Sequence, residues 1–254
     1  MNDVVAALES LRTEAPSSLL PTVLADVGLA DRYCMVSGPT GPLYVAWSDR
    51  GVTACVPAEI VGDDAGFEAH HPRSAVRVSA PPSHIARPLD KALATGRLGA
   101  LPVDLEALGE FQRAVLEKCA EIPPGEIRPY GWIAREIGNP GAVRAVGTAL
   151  GRNPIPILIP CHRVVRTDGH IGRYAWGAPM KKRLLETEGL DPTTVEAEAG
   201  RGVRYIGSDT TGIFCFPSCR HAKRVTPQHR IEFRSEDDAI ASGYRACKVC
   251  RPAA

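Results

Sequence analysis

The run Asn153-Pro154-Ile155-Pro156-Ile157-Leu158-Ile159-Pro160 restricts the folding of this chain more than any other stretch. Each proline fixes φ near about −65°, removes a backbone donor and pushes the residue before it out of the helical region. The segment is therefore neither a regular helix nor a regular strand, although its isoleucines and leucine call for burial. It reads as a stiff apolar platform, and it delivers Cys161-His162-Arg163-Val164. A thiol held rigidly beside an imidazole and a cation is a candidate nucleophile, the plain alternative being a cysteine packed as a small hydrophobe.

The 254 residues leave room for two or three domains, and 44% hydrophobic with 23% charged residues is the composition of a soluble globular protein. No apolar run approaches the roughly 18 residues that span a bilayer. The start, Met1-Asn2-Asp3-Val4-Val5, has neither a basic n-region nor an apolar h-region. Eight cysteines without a secretory signal suggest free thiols and metal ligands, so a cytoplasmic protein is expected. The net charge of +1 hides a strong asymmetry. Residues 128–183 carry ten Lys/Arg against two Asp/Glu, and residues 201–254 carry ten against five. Basic blocks around the chemically interesting cysteines suit a polyanionic partner such as DNA.

Organisation follows from periodicity and breakers. Helices are expected at Val4–Arg12 and Leu19–Val27, and strands at Arg32–Val36, Leu43–Trp47 and Gly51–Val56. Residues 62–80 read as a loop with one short strand near Val76–Val78, and Pro88 as the opening of a helix. Cys34, Cys55, His70, His71 and His84 fit no compact ligand spacing. Further on, Phe111, Val115, Leu116, Cys119 and Ile122 recur at helical steps and stop at Pro123-Pro124-Gly125. Two short helices, Tyr130–Gly138 and Ala142–Gly151, flank an Asn-Pro-Gly turn as in a helix-turn-helix, the second carrying Arg144 and ending with Arg152. A wing over Cys161–Gly177 and a helix over Pro179–Glu188 follow. The acidic, turn-prone residues 190–203 read as a linker.

The last fifty residues hold Cys215 and Cys219, then Cys247 and Cys250, 28 positions on from Cys219. Two close thiol pairs on one spacer are what a tetrahedral zinc site with four cysteine ligands requires. So short a domain buries little core, and one Zn2+ would supply folding free energy of order 10 kcal/mol. No organic cofactor is implied.

Several separated motifs carry a family resemblance. Phe111–Gly189 resembles the O6-alkylguanine-DNA alkyltransferases through Arg128-Pro129-Tyr130, Gly138-Asn139-Pro140, Arg144-Ala145-Val146-Gly147, Asn153-Pro154-Ile155-Pro156, Pro160-Cys161-His162-Arg163-Val164-Val165 and Leu184-Leu185-Glu186-Thr187-Glu188-Gly189. The C-terminal part is similar to the metal-binding domain of the bacterial adaptive-response protein Ada, through Thr210-Thr211-Gly212-Ile213-Phe214-Cys215, Pro217-Ser218-Cys219-Arg220 and Gly243-Tyr244-Arg245-Ala246-Cys247-Lys248-Val249-Cys250. The implied fold class is a multidomain α/β and α+β chain. It would comprise a ribonuclease H-like domain over 1–104, a winged-helix-like alkyltransferase domain over 105–189, the linker over 190–203, and a small four-cysteine zinc domain over 204–254.

The resemblance also implies a chemistry. A damaged guanine is flipped out of the duplex, Arg144 fills the space, and Cys161 takes the alkyl group irreversibly, in a single turnover. His162 would remove the thiol proton through a water, Glu188 would orient and charge the imidazole, and Tyr130 would stabilise the leaving guanine. Asn153 would fix the turn, Tyr174 would line the pocket, and Arg152 and Arg163 would contact DNA. The bulky Trp176 implies poorer acceptance of large substituents such as benzyl. In the zinc domain Cys215 would accept methyl from a DNA methylphosphotriester, or the four cysteines would form a structural knuckle that only binds DNA. The partner would be double-stranded DNA containing alkylated guanine or methylphosphotriesters, with no membrane, and the protein a monomer. The alternative is a zinc-dependent DNA methylation sensor or transcriptional regulator. In Ada the metal domain lies at the N-terminus, ahead of a helix-turn-helix regulatory domain, whereas here it is C-terminal. A Cys-His hydrolase is disfavoured, because a thioether does not hydrolyse.

Overall fold

The computed structural model describes residue 16 and residues 19–252. The helix expected over Val4–Arg12 lies outside them. Helix α1 (Leu19–Asp26) leads into strands β1 (Asp31–Gly38), β2 (Gly41–Ser48) and β3 (Gly51–Pro57), an antiparallel meander. The single-turn α2 (Ala58–Val61) and α3 (Asp64–His70) follow, then β4 (Ala75–Arg77), which pairs parallel with β1 to give the order β3-β2-β1-β4. Strand β2 is central, and its residues alternate between two cores as a pleat requires. Leu43, Val45 and Trp47 join the main cluster with Ile85 and Leu89, while Tyr44 and Ala46 pack with Tyr33 and Phe67. Asp31, fully buried, anchors β1 by accepting from Thr53 Oγ1 at 2.7 Å and pairing with His71 at 2.8 Å.

Two expectations need correction here. Residues 62–80 hold helix α3, started by Asp63, whose carboxylate accepts from the Gly66 amide at 2.8 Å. Its single buried residue, Phe67, gives too little periodicity to read. Pro88 lies inside helix α4 (Ser83–Thr95) instead of opening it. It costs only the bond to His84, in the second turn, while Ile85, Leu89 and Ala92 bury the inner face.

Helix α5 (Glu110–Ala120) buries Val115, Leu116 and Cys119. It is followed by β5 (Arg128–Pro129), α6 (Tyr130–Glu136) and α7 (Val143–Gly151). After the proline-rich run comes a 3-10 turn, Cys161–Arg163, and β6 (Val164–Val165), which pairs parallel with β5, Arg128 opposite Val164. Helix α8 (Gly177–Thr187) precedes α9 (Pro192–Gly200). Helix α9 corrects the linker expectation for 190–203. Asp191 caps it by accepting from the Thr193 and Thr194 amides, Pro192 sits in its first turn, and Ala199 is buried.

The C-terminal part is a four-stranded sheet, order β10-β8-β7-β9, made from β7 (Tyr205–Ser208), β8 (Ile213–Cys215), β9 (Arg230–Phe233) and β10 (Arg245–Ala246), with α10 (Glu236–Ala241) between β9 and β10. One contiguous apolar cluster runs from the first sheet through α5–α8 to Phe216 and the cysteines of this last sheet. No helix among the described residues is long and apolar enough to cross a membrane.

Candidate active site and metal centre

The platform is tied together by one side chain. Asn153 Oδ1 accepts from the Ile155 amide at 3.0 Å, and its Nδ2 donates to the Ile159 carbonyl at 2.9 Å and lies 3.3 Å from Cys161 Sγ. The turn is sharp enough to hold Ile157 at φ 73°, a left-handed conformation that a β-branched residue rarely adopts. Cys161 emerges from it 7% exposed. Burial pushes its thiol above the ordinary value, with Asn153 and Tyr174 pulling against that rise. At neutral pH it is therefore a thiol that needs a base to react.

The base is adjacent. His162 is buried, and its Nε2 lies 2.9 Å from Glu188 Oε1. A carboxylate only accepts, so this bond places the imidazole proton on Nε2 and leaves Nδ1 as a lone pair. That Nδ1 is buried and has no hydrogen-bond partner among the described residues. Burial lowers the basicity of His162 and Glu188 raises it, with a net fall, so the ring is neutral at pH 7. Glu188 itself is opposed by burial, but its bonds from His162 and Arg163 win and hold its pKa down to about 2.

Arg163 corrects a sequence expectation. Its side chain is 1% exposed, with Nε at 3.0 Å from both Glu188 oxygens and the terminal nitrogens at 2.6 Å from the Ile122 and Gly96 carbonyls. Its donors are turned inward, so it braces Glu188 and does not reach DNA. Arg144 and Arg152 are exposed on α7 and at its end, and neither forms an ion pair among the described residues. Half-buried Tyr130 opens α6, and a Cβ on Gly147 of α7 would stand 3.9 Å from its ring.

A cleft of about 410 Å³ opens over Cys161. Asn153, Arg152, Tyr174 and Trp176 line it together with Thr53 of β3 and Phe67 of α3. Tyr174 and Trp176 meet edge to face at 5.7 Å. The Tyr174 hydroxyl is buried and faces the Cys161 thiol. Sequence reading missed Lys181. It is fully buried, and its Nζ donates to the Val164 and Ile171 carbonyls at 2.6 Å each, fastening β6 to the loop that holds Ile171. Burial brings its pKa down to about 8. Its spacing from Leu184 and Leu185 puts it on the inner face of α8, a signal legible in the sequence.

The sulfurs of Cys215, Cys219, Cys247 and Cys250 lie within 4.8 Å of one another, all buried and none in a disulfide. Four converging thiols on a module with a minimal core of Phe214, Phe233 and Ala239 fit one zinc ion. Cys219 and Cys250 are fully enclosed, whereas Cys215 and Cys247 border a cleft of about 470 Å³ with Thr211, Arg224, Arg245 and Lys248.

Two family models match the chain. One is described as 6-O-methylguanine DNA methyltransferase, DNA binding domain, over residues 110–190, and the other as metal binding domain of Ada, over residues 196–253. The methylated-DNA–protein-cysteine methyltransferase of Methanosarcina acetivorans is 36% identical over 168 residues, 62% of this chain and 97% of the relative. The regulatory protein ada of Salmonella typhimurium is 36% identical over 162 residues, 62% of this chain and 45% of that protein. Among solved structures, Mycobacterium tuberculosis OGT in complex with DNA matches with TM-score 0.51 and 32% identity, covering 65% of this chain and 98% of that one.

Proposed function

The chain belongs to the methylated-DNA–protein-cysteine methyltransferase family and carries an Ada-like zinc domain, and from that premise we propose that it repairs O6-alkylguanine in double-stranded DNA by moving the alkyl group to Cys161. The observation that carries this reading is the set Asn153–Cys161–His162–Glu188. Loss of the thiol proton leaves a thiolate steadied by Asn153 Nδ2, and His162 Nδ1 receives the proton through an intervening water. The sulfur attacks the alkyl carbon, a C–S bond forms and the C–O6 bond breaks. The electron pair stays on the guanine, whose developing charge the Tyr130 hydroxyl is free to meet. The positive charge gained by His162 is balanced by Glu188. The product is a thioether, so each molecule acts once.

Reaching O6 requires the base to leave the stack. Arg144 fills the vacated space and Arg152 holds a backbone phosphate, the first on α7 and the second at its end, both exposed and without an ion pair among the described residues. The strand order β3-β2-β1-β4 fits a ribonuclease H-like N-terminal domain, and α6, α7 and the β5–β6 pair fit a winged helix-turn-helix. Trp176 against Tyr174 narrows the cleft, which favours methyl over benzyl.

In the C-terminal domain Cys215, Cys219, Cys247 and Cys250 would hold zinc, which when bound keeps its thiolate ligands deprotonated and nucleophilic. An acceptor must be reachable, which leaves Cys215 and Cys247; the Ada resemblance selects Cys215 as acceptor from a DNA methylphosphotriester. The basic residues around that cleft suit a phosphate backbone. The methyltransferase matches favour repair over a role as sensor alone. Peptide mass spectrometry after incubation with lesion-bearing duplex tests both acceptors. The Cys161 peptide should gain one CH2 unit from O6-methylguanine DNA, and the Cys215 peptide from phosphotriester DNA. No gain on Cys161 would sink the main reading.

A further inference from the structure

The loop from Pro123 to Tyr130 has the guanine site on one side and the metal domain on the other. On the first side, the Gly125 amide donates to Glu188 Oε2 at 3.1 Å, and Tyr130 opens α6 directly after β5. On the second side the same loop is gripped by the segment that follows Cys215. The Ile127 amide donates to Ser218 Oγ at 2.9 Å, and the Arg220 amide donates to Glu126 Oε1 at 3.1 Å. Lys223 Nζ donates to the Gly125 carbonyl at 2.9 Å. One peptide neighbourhood thus bonds Glu188 with its N–H and the metal domain with its C=O.

The contact is buried and charged, which gives it a defined geometry. Glu126 and Arg128 are 4% and 2% exposed and pair with each other. The Arg128 guanidinium sits 5.2 Å from the Phe216 ring centroid and 5.7 Å from that of Trp132 on α6. A second grip lies on α6 itself, where Arg135 donates to the Pro252 carbonyl at 2.8 Å and Arg251 pairs with Glu136. Neutral tethering of two independent domains would not need a buried ion pair whose partners are donated to and stacked on from across the interface.

We propose that Ser218 and Lys223 are positioning residues for the Cys161 reaction: the segment Phe216–Lys223 of the metal domain holds loop 123–130, and through it Glu188 and Tyr130, in the geometry that alkyl transfer needs. The proposal rests on Cys161 being the alkyl acceptor. Because Cys215 directly precedes this segment and Cys219 lies within it, metal loading of one domain bears on the reactivity of the other.

The test uses the full-length, zinc-loaded protein and the variants Ser218→Ala, Lys223→Met and Ser218→Thr. Single-turnover methyl transfer from O6-methylguanine duplex is followed over a range of DNA concentrations, with amide hydrogen exchange at Gly125 and Ile127 measured in parallel. In Ser218→Ala the saturating rate constant should fall on the order of tenfold, within the usual span of coupling between sites. Half-saturation should stay near wild type, and both amides should exchange faster. Lys223→Met, altered only in an exposed side chain, should show the same pattern more weakly, and Ser218→Thr should restore the rate. Bound zinc measured in each variant separates positioning from loss of the domain's fold. Wild-type rates in Ser218→Ala and Lys223→Met, whether or not exchange quickens, would overturn the proposal. If the wild-type protein itself transfers no methyl to Cys161, the functional reading fails instead, and the exchange data still report on the grip.

Discussion

At the scale of single residues, the site is governed by one carboxylate serving an imidazole and a guanidinium. Glu188 accepts from His162 and from the Arg163 fork, and its pKa is held down to about 2 from 4.5. A depressed acid stabilises the fold above its unfolded value, and that contribution drains away as pH falls from about 4.5 toward 2. Glu188→Gln should therefore cost about 3 kcal/mol in denaturant unfolding at pH 7, since it strands a buried guanidinium. The same variant should flatten the acid loss of stability. Reactivity titrates elsewhere. His162 acts as base only when neutral, and burial keeps its pKa below 6.5. The single-turnover rate should then fall with acid at a midpoint below 6.5, and lower still in Glu188→Gln, where the group that raises the imidazole pKa is gone. A wild-type midpoint above 6.5 would contradict the lowered basicity that burial gives His162. Cys161 and His162 were legible as a candidate pair because their chemistry is written in residue types, whereas Glu188, 26 positions after His162, joined them only through the family resemblance. Arg163 was not, because a cation beside a nucleophile looks the same in sequence whether it points to DNA or inward, and only burial distinguishes the two.

At the scale of elements, long amphipathic patterns were legible and short ones were not. Helices α5, α6 and α7 follow from apolar spacing and from the breakers Pro123-Pro124-Gly125 and Asn139-Pro140-Gly141. Helix α3 escaped because Phe67 alone marks its inner face, and α9 because its sequence is small and acidic and is helical through its Asp191 cap. The proline-rich platform was read correctly as irregular, but the strain at Ile157 was not visible, since nothing in composition assigns a positive φ to isoleucine. That strain sets up a contest of magnitudes. Ile157→Gly relieves about 1–2 kcal/mol of left-handed penalty. It also deletes a side chain only 7% exposed, a loss of about 2–5 kcal/mol for large-to-small core changes. Burial wins, so the variant should be less stable by about 2 kcal/mol in urea unfolding, with Cys161 reacting faster with a small thiol reagent as the turn loosens. A net gain in stability would mean that the platform is held against its own preference by its surroundings alone.

At the scale of the whole molecule, charge separation prepares one face for a polyanion, and it can be tested apart from the chemistry. The basic block 128–183 was apparent from sequence, but the sequence could not say which of its cations are free. The fold divides them. Arg163 and Lys181 are spent inside on Glu188 and on backbone carbonyls, Arg128 is spent at the domain interface, and Arg144 and Arg152 remain exposed without ion pairs among the described residues. The docking of the metal domain on loop 123–130 was equally hidden, because it depends on Ser218 and Glu126, residues whose types announce nothing. For DNA binding the relevant count is the number of free cations, since each phosphate neutralised releases counterions and steepens the salt dependence of log K by about 0.9. Arg144→Ala and Arg152→Ala should each weaken duplex affinity and reduce that slope by roughly one. Arg163→Met should leave the slope unchanged while lowering the unfolding midpoint, because it removes a brace and not a phosphate contact. Fluorescence anisotropy over a salt series with undamaged duplex measures all three. If Arg163→Met flattened the slope as much as Arg144→Ala, the inward assignment of Arg163 would be wrong, and the block would have to be read as one continuous DNA-facing surface.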